Sequence, residues 1–449
     1  MESADPPPDT IAAIATPPGR GGIGVVRVSG PQVPAIAQAL LGRLPAARQA
    51  TFGAVRNSTG ERIDEALALY FPAPASYTAE DVLEIQGHGS PMALGAVLSA
   101  CLAAGARLAQ PGEFTRRAFL NGKLDLAQAE AVADLIEAAT AQAARGAMRS
   151  LAGEFSEAIG SLVAALIELR ALTEAALDFP EEEIDPLHRN DVAQRVTSLQ
   201  ASLHRVFTSS RQGSLLRAGI NIVLAGRPNV GKSSLLNRLA GEERAIVTPI
   251  AGTTRDTVRE TIAIDGVPLN LIDTAGLRPA SDEVERLGIE RTWAELGRAD
   301  VTVMIIDAQA GRTAEDEEIL AHLAADAPRI LVWNKIDLAG LAPEVRQTTP
   351  IEVAVSARTG AGIEGLRRVL LDAAGWNPAG ETLFVARERH LRALAEAGVH
   401  MRAAARLQDR AELFAEELRL AQGALSAITG EFTADDLLGE IFGRFCIGK

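Results

Sequence analysis

The stretch Gly226-Arg227-Pro228-Asn229-Val230-Gly231-Lys232-Ser233 decides the fold of the central part of this chain. It has the spacing GxxxxGK[ST] and lies between an apolar run, 220–225, and a helix-like segment, 234–239. Its two glycines allow a tight turn in which backbone N–H groups approach phosphate oxygens, and the positive end of the following helix favours an anion. A glycine turn that binds nothing is the alternative. We predict a phosphate-binding loop in which Lys232 reaches the β- and γ-phosphates and Ser233 ligates Mg²⁺.

Three further motifs follow predicted strands, in the order typical of GTP-binding proteins. Asp273-Thr274-Ala275-Gly276 follows the strand 269–272 and suits an outer-shell Mg²⁺ carboxylate and a γ-phosphate contact. Asn334-Lys335-Ile336-Asp337 follows the strand 330–333, and its final carboxylate can accept two hydrogen bonds from guanine that adenine cannot donate. Ser356-Ala357-Arg358 follows the strand 351–355 and supplies backbone N–H for guanine O6. Together these motifs predict a GTP-binding protein.

Composition limits the remaining possibilities. The 449 residues are enough for two to four domains. A net charge of −14 argues against a generic nucleic-acid binder, so any RNA contact needs a local basic patch or a partner. The two cysteines, Cys101 and Cys446, lie far apart and form neither a disulfide framework nor a zinc cluster, which fits a reducing cytoplasm. The acidic, proline-rich N-terminus is unlike a signal peptide, and no apolar run approaches the ~20 residues of a membrane span. We expect a cytoplasmic protein with no membrane contact.

Changes in composition and hydrophobic periodicity along the chain predict four segments. Residues 1–122 alternate β-like runs with turns and are expected to form a separate α+β domain, and residues 123–217 are rich in Ala, Leu and Glu at helical spacing. Residues 218–376 predict a doubly wound α/β GTPase domain with six apolar strands. Residues 377–449 again show a composition typical of helices. The simplest interpretation is one helical domain with the GTPase inserted, because insertions occur where termini lie close together.

Local patterns predict the individual elements. In the N-terminal segment we expect four strands and one helix: 10–15, 23–28, 66–71 and 82–86, then the helix 91–105. His88 lies between two glycines and is predicted to be a turn residue rather than a ligand. Outside the GTPase segment we expect helical structure over four ranges: 125–179, 190–217, 387–420 and 435–442.

The residues after the second motif bear on hydrolysis. Ras-like enzymes place there a glutamine that orients the attacking water, whereas this chain has Leu277, which cannot do so. A carboxylate from the acidic residues that follow can polarise the water instead, and the alternative is a solvated acidic loop. These acidic residues are Asp282, Glu283 and Glu285.

The stretch between residues 242 and 256 resembles a switch loop. Thr253 or Thr254 can ligate Mg²⁺ there. Arg255 suits an arginine finger, but a Thr-Arg-Asp sequence forms a structural salt bridge as readily.

Several stretches together resemble the MnmE/TrmE family of tRNA-modification GTPases. Besides the phosphate-binding loop with Asn229 inside it, they are Gly-Thr-Thr-Arg-Asp (252–256), Asp-Thr-Ala-Gly-Leu-Arg (273–278), the stretches 16–22 and 112–123, and the terminal Cys-Ile-Gly-Lys (446–449). The similarity covers essentially the whole chain. It implies an N-terminal folate-binding and dimerisation domain, a discontinuous helical domain and an inserted Ras-like P-loop GTPase domain.

The resemblance also implies an activity. With an FAD-dependent partner of the MnmG/GidA type, the family installs a carboxymethylaminomethyl or aminomethyl group at C5 of the wobble uridine (U34) of certain tRNAs. The one-carbon unit comes from a folate, 5,10-methylene- or 5-formyl-tetrahydrofolate. The proteins are homodimers whose G domains dimerise across GTP and Mg²⁺, with K⁺ in place of an arginine finger.

The resemblance assigns roles to individual positions. Glu285 matches the catalytic carboxylate, and Cys446 matches a cysteine implicated in modification, although a spare thiol in the tail is the alternative. Ser233 and Thr254 match the Mg²⁺ ligands. The K⁺ positions are Asn229, Thr248, Ile250 and Thr253, and the folate positions are Arg27, Glu84, Lys123 and Lys449. The full predicted GTP site comprises Asn229, Val230, Gly231, Lys232, Ser233, Ser234, Thr248, Pro249, Ile250, Ala251, Gly252, Thr253, Thr254, Asp273, Thr274, Ala275, Gly276, Asn334, Lys335, Asp337, Ser356, Ala357 and Arg358.

Two other classes of protein remain alternatives. One is a pure switch GTPase of the ribosome-assembly kind, whose flanking domains only bind RNA and have no need of folate. The other is a transferase with a cysteine nucleophile, in which the GTPase is regulatory. Folate binding by the N-terminal segment separates the first alternative from the leading hypothesis.

Overall fold

A computed structural model describes residues 9–178, 186–241, 259–273, 299–322, 327–377 and 383–430, together with 441, 443, 445 and 448. Side chains are not described at 176–178, 186–190, 259, 260, 273 and 322. The chain forms two compact units, residues 1–133 with 425–449, and residues 134–424. The division into four segments, 1–122, 123–217, 218–376 and 377–449, stays a prediction.

The first unit contains a six-stranded sheet. Its strands are β1 (Ile11–Ile14), β2 (Gly24–Ser29), β3 (Thr51–Arg56), β4 (Arg62–Phe71), β5 (Val82–Gly87) and β6 (Arg107–Leu108). They lie in the order β3-β4-β5-β2-β1-β6, and all neighbours are antiparallel except β1 and β6. Successive side chains of a strand point to opposite faces, so Ala12 of β1 enters one apolar core while Ile11 and Ala13 enter another.

Three helices of this unit accompany the sheet. They are α1 (Val33–Leu41), α2 (Pro91–Ala103) and α3 (Glu113–Leu120). Ile36 of α1 and Val97 of α2 belong to one core, and Phe114 of α3 belongs to the core with Ile11 and Ala13. The four predicted strands and the predicted helix are confirmed within one to four residues at each end, and the α+β class is confirmed. The sequence analysis missed β3, β6, α1 and α3.

The next part of the chain is helical, as predicted. Its helices are α4 (Leu126–Glu137), α5 (Ala141–Leu151), α6 (Glu154–Asp178) and α7 (Pro186–Ala218). The Thr140 hydroxyl caps α5 by accepting a hydrogen bond of 3.1 Å from the Ala143 N–H. Helix α7 begins four residues before the predicted start at 190, at a proline, whose missing N–H costs nothing in the first turn.

The second unit contains a seven-stranded sheet. Its strands are β7 (Ile220–Ala225), β8 (Arg259–Ile264), β9 (Val267–Asp273), β10 (Val301–Asp307), β11 (Arg329–Asn334), β12 (Glu344–Arg346) and β13 (Ile351–Ala354). They lie in the order β12-β13-β11-β10-β7-β9-β8. The five central strands are parallel, and the two edge strands β8 and β12 are antiparallel to their neighbours. The prediction of six strands is wrong by one, because β12 is exposed along its length and carries no apolar pattern.

Helices cover both faces of this sheet. The described ones are α8 (Lys232–Ala240), α9 (Ala314–His322), α10 (Ile336–Ala339) and α11 (Ile363–Ala373). Leu235 of α8 and Leu366 of α11 belong to the core on one face, and Leu320 of α9 belongs to the core on the other. The doubly wound α/β class is therefore confirmed, and its ligands are expected at the carboxyl ends of the parallel strands.

Two helices follow the G-domain sheet, α12 (Glu388–Arg406) and α13 (Ala411–Thr429). The range 387–420 is helical as predicted, but a turn divides it between two helices. The Leu407 carbonyl accepts a hydrogen bond of 2.8 Å from the Arg410 N–H, and this turn separates the two helices without any glycine or proline to signal it. Among the described residues, no helix is long and apolar enough to cross a membrane.

Candidate functional site

The predicted phosphate-binding loop joins β7 to α8, and its two glycines are required by its conformation. Gly226 has φ of 149° and Gly231 has φ of 97°, both in the region that favours glycine. A Cβ atom on Gly226 would lie 2.5 Å from the Ile305 carbonyl oxygen, and one on Gly231 would lie 2.4 Å from Asn334 Nδ2. Gly231 also precedes the first turn of α8, so the positive end of that helix faces the loop. The loop therefore fits a phosphate group.

The lysine and serine of the loop both lie at the start of α8. Lys232 Nζ donates hydrogen bonds to the carbonyl oxygens of Gly226 (2.6 Å) and Arg227 (3.1 Å), which holds the ammonium beside the loop. Ser233 and Ser234 are exposed in the first turn of α8. The backbone of Asp273 pairs with that of Leu224 at the same sheet edge. A serine hydroxyl and a carboxylate are oxygen donors of the kind that Mg²⁺ prefers.

Asn334 joins the phosphate-binding loop to the 356–358 loop. Its side chain is buried, with 1% exposure. Its Nδ2 donates to the Val230 carbonyl at 2.9 Å, and its Oδ1 accepts from the Ala357 N–H at 3.0 Å. One amide group thus sets the distance between the predicted phosphate and base ends of the site.

The charged residues of the same motif have separate partners. Lys335, with φ of 65°, directs its Nζ to Asp307 Oδ2 at 2.7 Å. Burial alone would raise the pKa of Asp307, but hydrogen bonding from Lys335 and from backbone N–H groups outweighs it, so the pKa is lowered. Asp337 is exposed, and its Oδ1 accepts from Ser356 Oγ at 2.6 Å. Asp337 therefore has a second oxygen available to a nucleobase. Asp307 instead holds the Lys335 ammonium in place.

Two of the three N–H groups of the 356–358 loop already donate hydrogen bonds within the protein. The Ser356 N–H donates to the Ala361 carbonyl at 2.9 Å, and the Ala357 N–H is taken by Asn334. Across the described ranges, the Arg358 N–H has no hydrogen-bond partner. It is therefore the group of this loop that is directly available to guanine O6.

A buried ion pair supports the second residue of the phosphate-binding loop. Arg227 Nε donates to Asp316 Oδ1 at 3.0 Å, and Asp316 is fully buried. The other oxygen of this carboxylate accepts from the Thr313 N–H (3.0 Å) and hydroxyl (2.9 Å). The sequence analysis missed both Asp316 and Asp307. Asp316 lies in an acidic run that looks like a solvated helix face, and Asp307 ends a strand without any motif.

In the first unit, two predicted folate positions lie side by side. Arg27 of β2 pairs across the sheet with Glu84 of β5, and Arg27 Nε donates to Glu84 Oε1 at 3.0 Å. The guanidinium lies 5.4 Å from the Tyr77 ring centroid and 5.7 Å from that of Phe114. Burial raises the pKa of Tyr77, more than its bond to Thr115 lowers it, so the phenol stays neutral. A guanidinium, a carboxylate and aromatic rings fit a flat heterocycle with N–H groups.

The chain terminus approaches this pair. Arg27 Nη1 donates to the Gly448 carbonyl at 3.4 Å. Gly448 has φ of 101°, and a Cβ atom there would lie 2.4 Å from the Ile14 carbonyl oxygen. Lys123 is exposed in the turn after α3, and no hydrogen bond or ion pair joins its ammonium to another described residue. The structure thus brings Arg27, Glu84 and Gly448 together, and the role of Lys123 stays a prediction.

Cys101 is a buried free cysteine. Burial raises the pKa of the Cys101 thiol to about 12, so this thiol is inert at neutral pH. Cys446 lies outside the described residues, as do the other remaining members of the predicted sites, and their roles stay predictions. These members are Thr248, Pro249, Ile250, Ala251, Gly252, Thr253, Thr254, Thr274, Ala275, Gly276, Glu285 and Lys449.

Two family models match the chain. Residues 10–123 match the N-terminus of the GTP-binding protein TrmE, and residues 126–446 match the MnmE helical domain. Together they span nearly the whole sequence.

Two relatives similar along the whole chain have the same name. A tRNA modification GTPase MnmE from Azoarcus sp. (strain BH72) is 61% identical, over 99% of this chain and 98% of the relative. Another with the same name, from Thiobacillus denitrificans, is 59% identical over 99% of both chains. Among solved structures, an Aquifex aeolicus Era is 30% identical over 40% of this chain and 66% of that chain, with a TM-score of 0.27. The G domain of T. maritima FeoB is 26% identical over 34% and 98%, with a TM-score of 0.26.

Proposed function

This chain belongs to the MnmE family of tRNA modification GTPases, and on that premise we propose that it couples GTP hydrolysis to a folate-dependent modification of the wobble uridine of certain tRNAs. The group added at C5 of U34 is carboxymethylaminomethyl or aminomethyl. An FAD-dependent partner of the MnmG/GidA type takes part, and the working form is a homodimer. The reaction takes place in the cytoplasm.

One observation supports the nucleotide site above all others. The buried Asn334 amide joins the phosphate-binding loop to the 356–358 loop, and Asp337 presents a carboxylate beside the second loop. A guanine whose N1–H and amine meet Asp337 places its O6 near the Arg358 N–H. Adenine has no such pair of donors, so the site selects GTP.

The residues that meet the phosphates follow from the same geometry. Lys232 supplies a positive charge beside the loop, and Ser233 with Thr254 would hold Mg²⁺. Mg²⁺ neutralises charge that develops on the phosphate oxygens when it is bound. Glu285 is the carboxylate that orients the attacking water.

A monovalent cation completes the phosphate end of the proposed site. Asn229 is exposed in the phosphate-binding loop with φ of 65°, and its side-chain oxygen can join carbonyl oxygens of the 248–253 loop. We assign Asn229, Thr248, Ile250 and Thr253 to K⁺, whose charge replaces that of an arginine finger. Na⁺ is smaller and would be under-coordinated there. Binding of K⁺ by this loop would complete the surface on which two G domains dimerise.

The one-carbon donor is held in the first unit. Arg27 offers a guanidinium beside two aromatic rings and Glu84 offers a carboxylate, and no described residue donates to the second oxygen of Glu84. They fit the N–H groups and carbonyl of a pterin. We assign Lys123 and Lys449 to the glutamate tail of the folate, and Cys446 to the modification chemistry.

Nucleotide selection tests the GTP assignment. Replacing Asp337 with Asn should weaken GTP binding by about 2–4 kcal/mol, because a carboxylate that accepts two hydrogen bonds is lost, and should admit xanthosine nucleotides. The measurement is fluorescence titration with N-methylanthraniloyl derivatives of GDP, XDP and ADP. The control is Asp265→Asn in the exposed turn between β8 and β9, which should match the wild type. Equal affinity of the wild type for ADP and GDP would contradict the assignment.

Two variants test the hydrolysis chemistry. Glu285→Ala should abolish hydrolysis and leave GTP affinity nearly intact, as expected for a group that acts only in the transition state.

Asn229→Ala should remove the stimulation of GTP hydrolysis by K⁺. GTPase rate and sedimentation are measured in KCl and NaCl at matched ionic strength. Identical rates and masses in the two salts would exclude the cation mechanism.

Folate binding separates the proposal from a pure switch GTPase. The full chain should bind 5-formyl-tetrahydrofolate in isothermal titration, and Arg27→Gln should remove the heat of binding. Arg56→Gln is the control, since Arg56 lies on β3 and bonds only to the exposed Gly60 carbonyl among the described residues. A wild type that binds GTP but no folate would favour the switch.

A further inference from the structure

Arg238 contacts the base end of the site from the side opposite to Asn334. It lies in the last turn of α8, the helix that begins at the phosphate-binding loop. Its Nε donates to the Ala357 carbonyl at 3.0 Å, and its Nη2 donates to the Arg358 carbonyl at 2.6 Å. One planar guanidinium therefore holds two successive carbonyl groups of the 356–358 loop.

The orientation of one peptide group links this contact to the base. The Ala357 carbonyl and the Arg358 N–H belong to the same peptide, and in a trans peptide these two groups point in opposite directions. Because Arg238 draws the carbonyl to itself, the Arg358 N–H is directed to the other side of the loop. That N–H is the one left available to guanine O6.

The peptides on either side of the Ala357–Arg358 peptide are held by other residues. The Ala357 N–H is held by Asn334, and the Thr359 N–H donates to Ser356 Oγ at 3.1 Å. The guanidinium also lies close to the loop at Gly360, where a Cβ atom would be 3.8 Å from Arg238 Nη1. Without Arg238, nothing described holds the Ala357 carbonyl, and the peptide can rotate.

We propose that Arg238 is a positioning residue that sets guanine specificity by fixing the Arg358 N–H toward O6. The proposal rests on the GTP site proposed above and concerns one contact within it. It concerns the 6-position of the base and not the phosphates, because Arg238 Nε and Nη2 donate to the 356–358 loop. Its loss should therefore weaken ligands that carry O6 and spare ligands that lack it.

The test compares two nucleotides that differ at the 6-position. GDP carries O6 and an N1–H, and 2-aminopurine riboside diphosphate keeps the 2-amino group but has neither. The missing N1–H weakens the analogue equally in the wild type and the variant, so the change in the ratio of affinities reports on O6. In the full chain, Arg238→Met should weaken GDP by about tenfold, since one hydrogen bond to a fixed donor is lost, and leave the analogue within about twofold. Arg238→Lys keeps one donor and should lose about half of the effect on a logarithmic scale. Both affinities are measured by competition against a fluorescent GDP.

Two comparisons make the result decisive. Arg367→Met removes an arginine of α11 that donates to the Leu239 carbonyl at 3.2 Å and not to the 356–358 loop, and should leave the ratio of the two affinities unchanged. If Arg238→Met does not fold, Arg238→Lys gives the ratio alone. An unchanged ratio, or an equal loss for both nucleotides, would overturn the proposal. A wild type that binds neither nucleotide would refute the GTP site itself.

Discussion

At the scale of single residues, several carboxylates act through a neighbouring cation rather than on a ligand. Asp307 holds Lys335, Asp316 holds Arg227, and each partner belongs to a nucleotide-binding motif. Asp316 is fully buried, so its charge is tolerated only because Arg227 and two groups of Thr313 surround it. Such residues tune the site without touching the nucleotide.

Asp307 should control the affinity for nucleotide. In Asp307→Asn the Lys335 ammonium loses its charged partner, and we expect GDP binding to weaken by about three- to tenfold. The measurement is equilibrium titration with fluorescent GDP. Asp300 precedes the other end of the same strand and bonds to Asn221, so Asp300→Asn should bind GDP as the wild type does. Equal affinity in all three proteins would show that Lys335 needs no anchor.

Glu113 should make the first unit sensitive to acid. Burial alone would raise the pKa of Glu113, but hydrogen bonds from Arg107, the Gln110 N–H and Arg117 outweigh it, so the pKa lies below 4.5. A lowered folded-state pKa contributes stability above the unfolded value, and this stability is lost as the pH falls through the folded value. Glu113→Gln should therefore lower the stability of α3 by about 2 kcal/mol at pH 7, and by progressively less below pH 4.5.

Hydrogen exchange of α3 amides, compared between variant and wild type at each pH, measures this difference. Glu61→Gln is the control, because Glu61 is exposed in the hairpin between β3 and β4. A difference that stays constant from pH 7 to pH 3 would rule out a role for the Glu113 charge.

At the scale of elements, α7 approaches the segment before α12 too closely for any side chain. Gly213 is buried in α7, and a Cβ atom there would lie 1.8 Å from the Phe384 carbonyl oxygen and 2.4 Å from its carbon. Both atoms are backbone, so the contact can be relieved only by moving the helix or the segment. Gly213→Ala should destabilise the second unit by about 3 kcal/mol. The measurement is hydrogen exchange of α7 amides in the full chain.

Gly160 provides the matched comparison. It is exposed in α6, and a Cβ atom there would meet nothing within 4 Å. Gly160→Ala should stabilise α6 by about 0.8 kcal/mol, because alanine loses less backbone freedom in a helix. Destabilisation by both substitutions would mean that the close approach at Gly213 is not the cause.

Apolar runs and motif spacing were sufficient to predict most elements from the sequence. The strands β7, β9, β11 and β13 were found because each carries a run of apolar residues and ends at a recognisable motif. The strand β12 was missed because its residues are exposed, and the break between α12 and α13 was missed because it is made by a Leu407–Arg410 hydrogen bond.

The contacts that shape the site could not be predicted from the sequence. Asp307 and Lys335 are 28 residues apart, and Arg238 and Ala357 are 119 apart. Periodicity reports only which face of an element is buried, and such pairings depend on strand order and helix placement. The glycines of the phosphate-binding loop were predictable because their requirement is local.

At the scale of the whole molecule, a buried carboxylate joins distant parts of the second unit. Asp134 of α4 has a side chain 4% exposed. Its Oδ1 accepts from Arg217 Nε at 2.9 Å and from Arg387 Nη2 at 2.8 Å. Arg217 lies just before β7, and Arg387 lies just before α12. The Asp134 side chain thus links α4 both to the residues just before the first strand of the G-domain sheet and to the residues just before α12.

Asp134→Asn should therefore lower the stability of the second unit by about 3 kcal/mol, because two guanidinium groups lose a buried counter-charge. GDP affinity should stay within about twofold, since no nucleotide-binding residue is touched. Thermal unfolding with and without GDP measures both quantities. Glu137→Gln on the same helix is exposed and should change stability by less than about 0.5 kcal/mol. A matching loss in Glu137→Gln would assign the effect to general helix charge.

The length of helix α7 means that a small rotation at one end produces a large displacement at the other. It runs for 33 residues, about 50 Å, and is followed after Gly219 by β7, the strand that leads into the phosphate-binding loop. A rotation of about 5° at the β7 end displaces the far end by about 4 Å, a distance that is large compared with any change at a phosphate. Near the middle of the helix, the Met401 carbonyl accepts a hydrogen bond of 2.9 Å from Gln200 Nε2, so such a rotation would move α12 with it or break this bond.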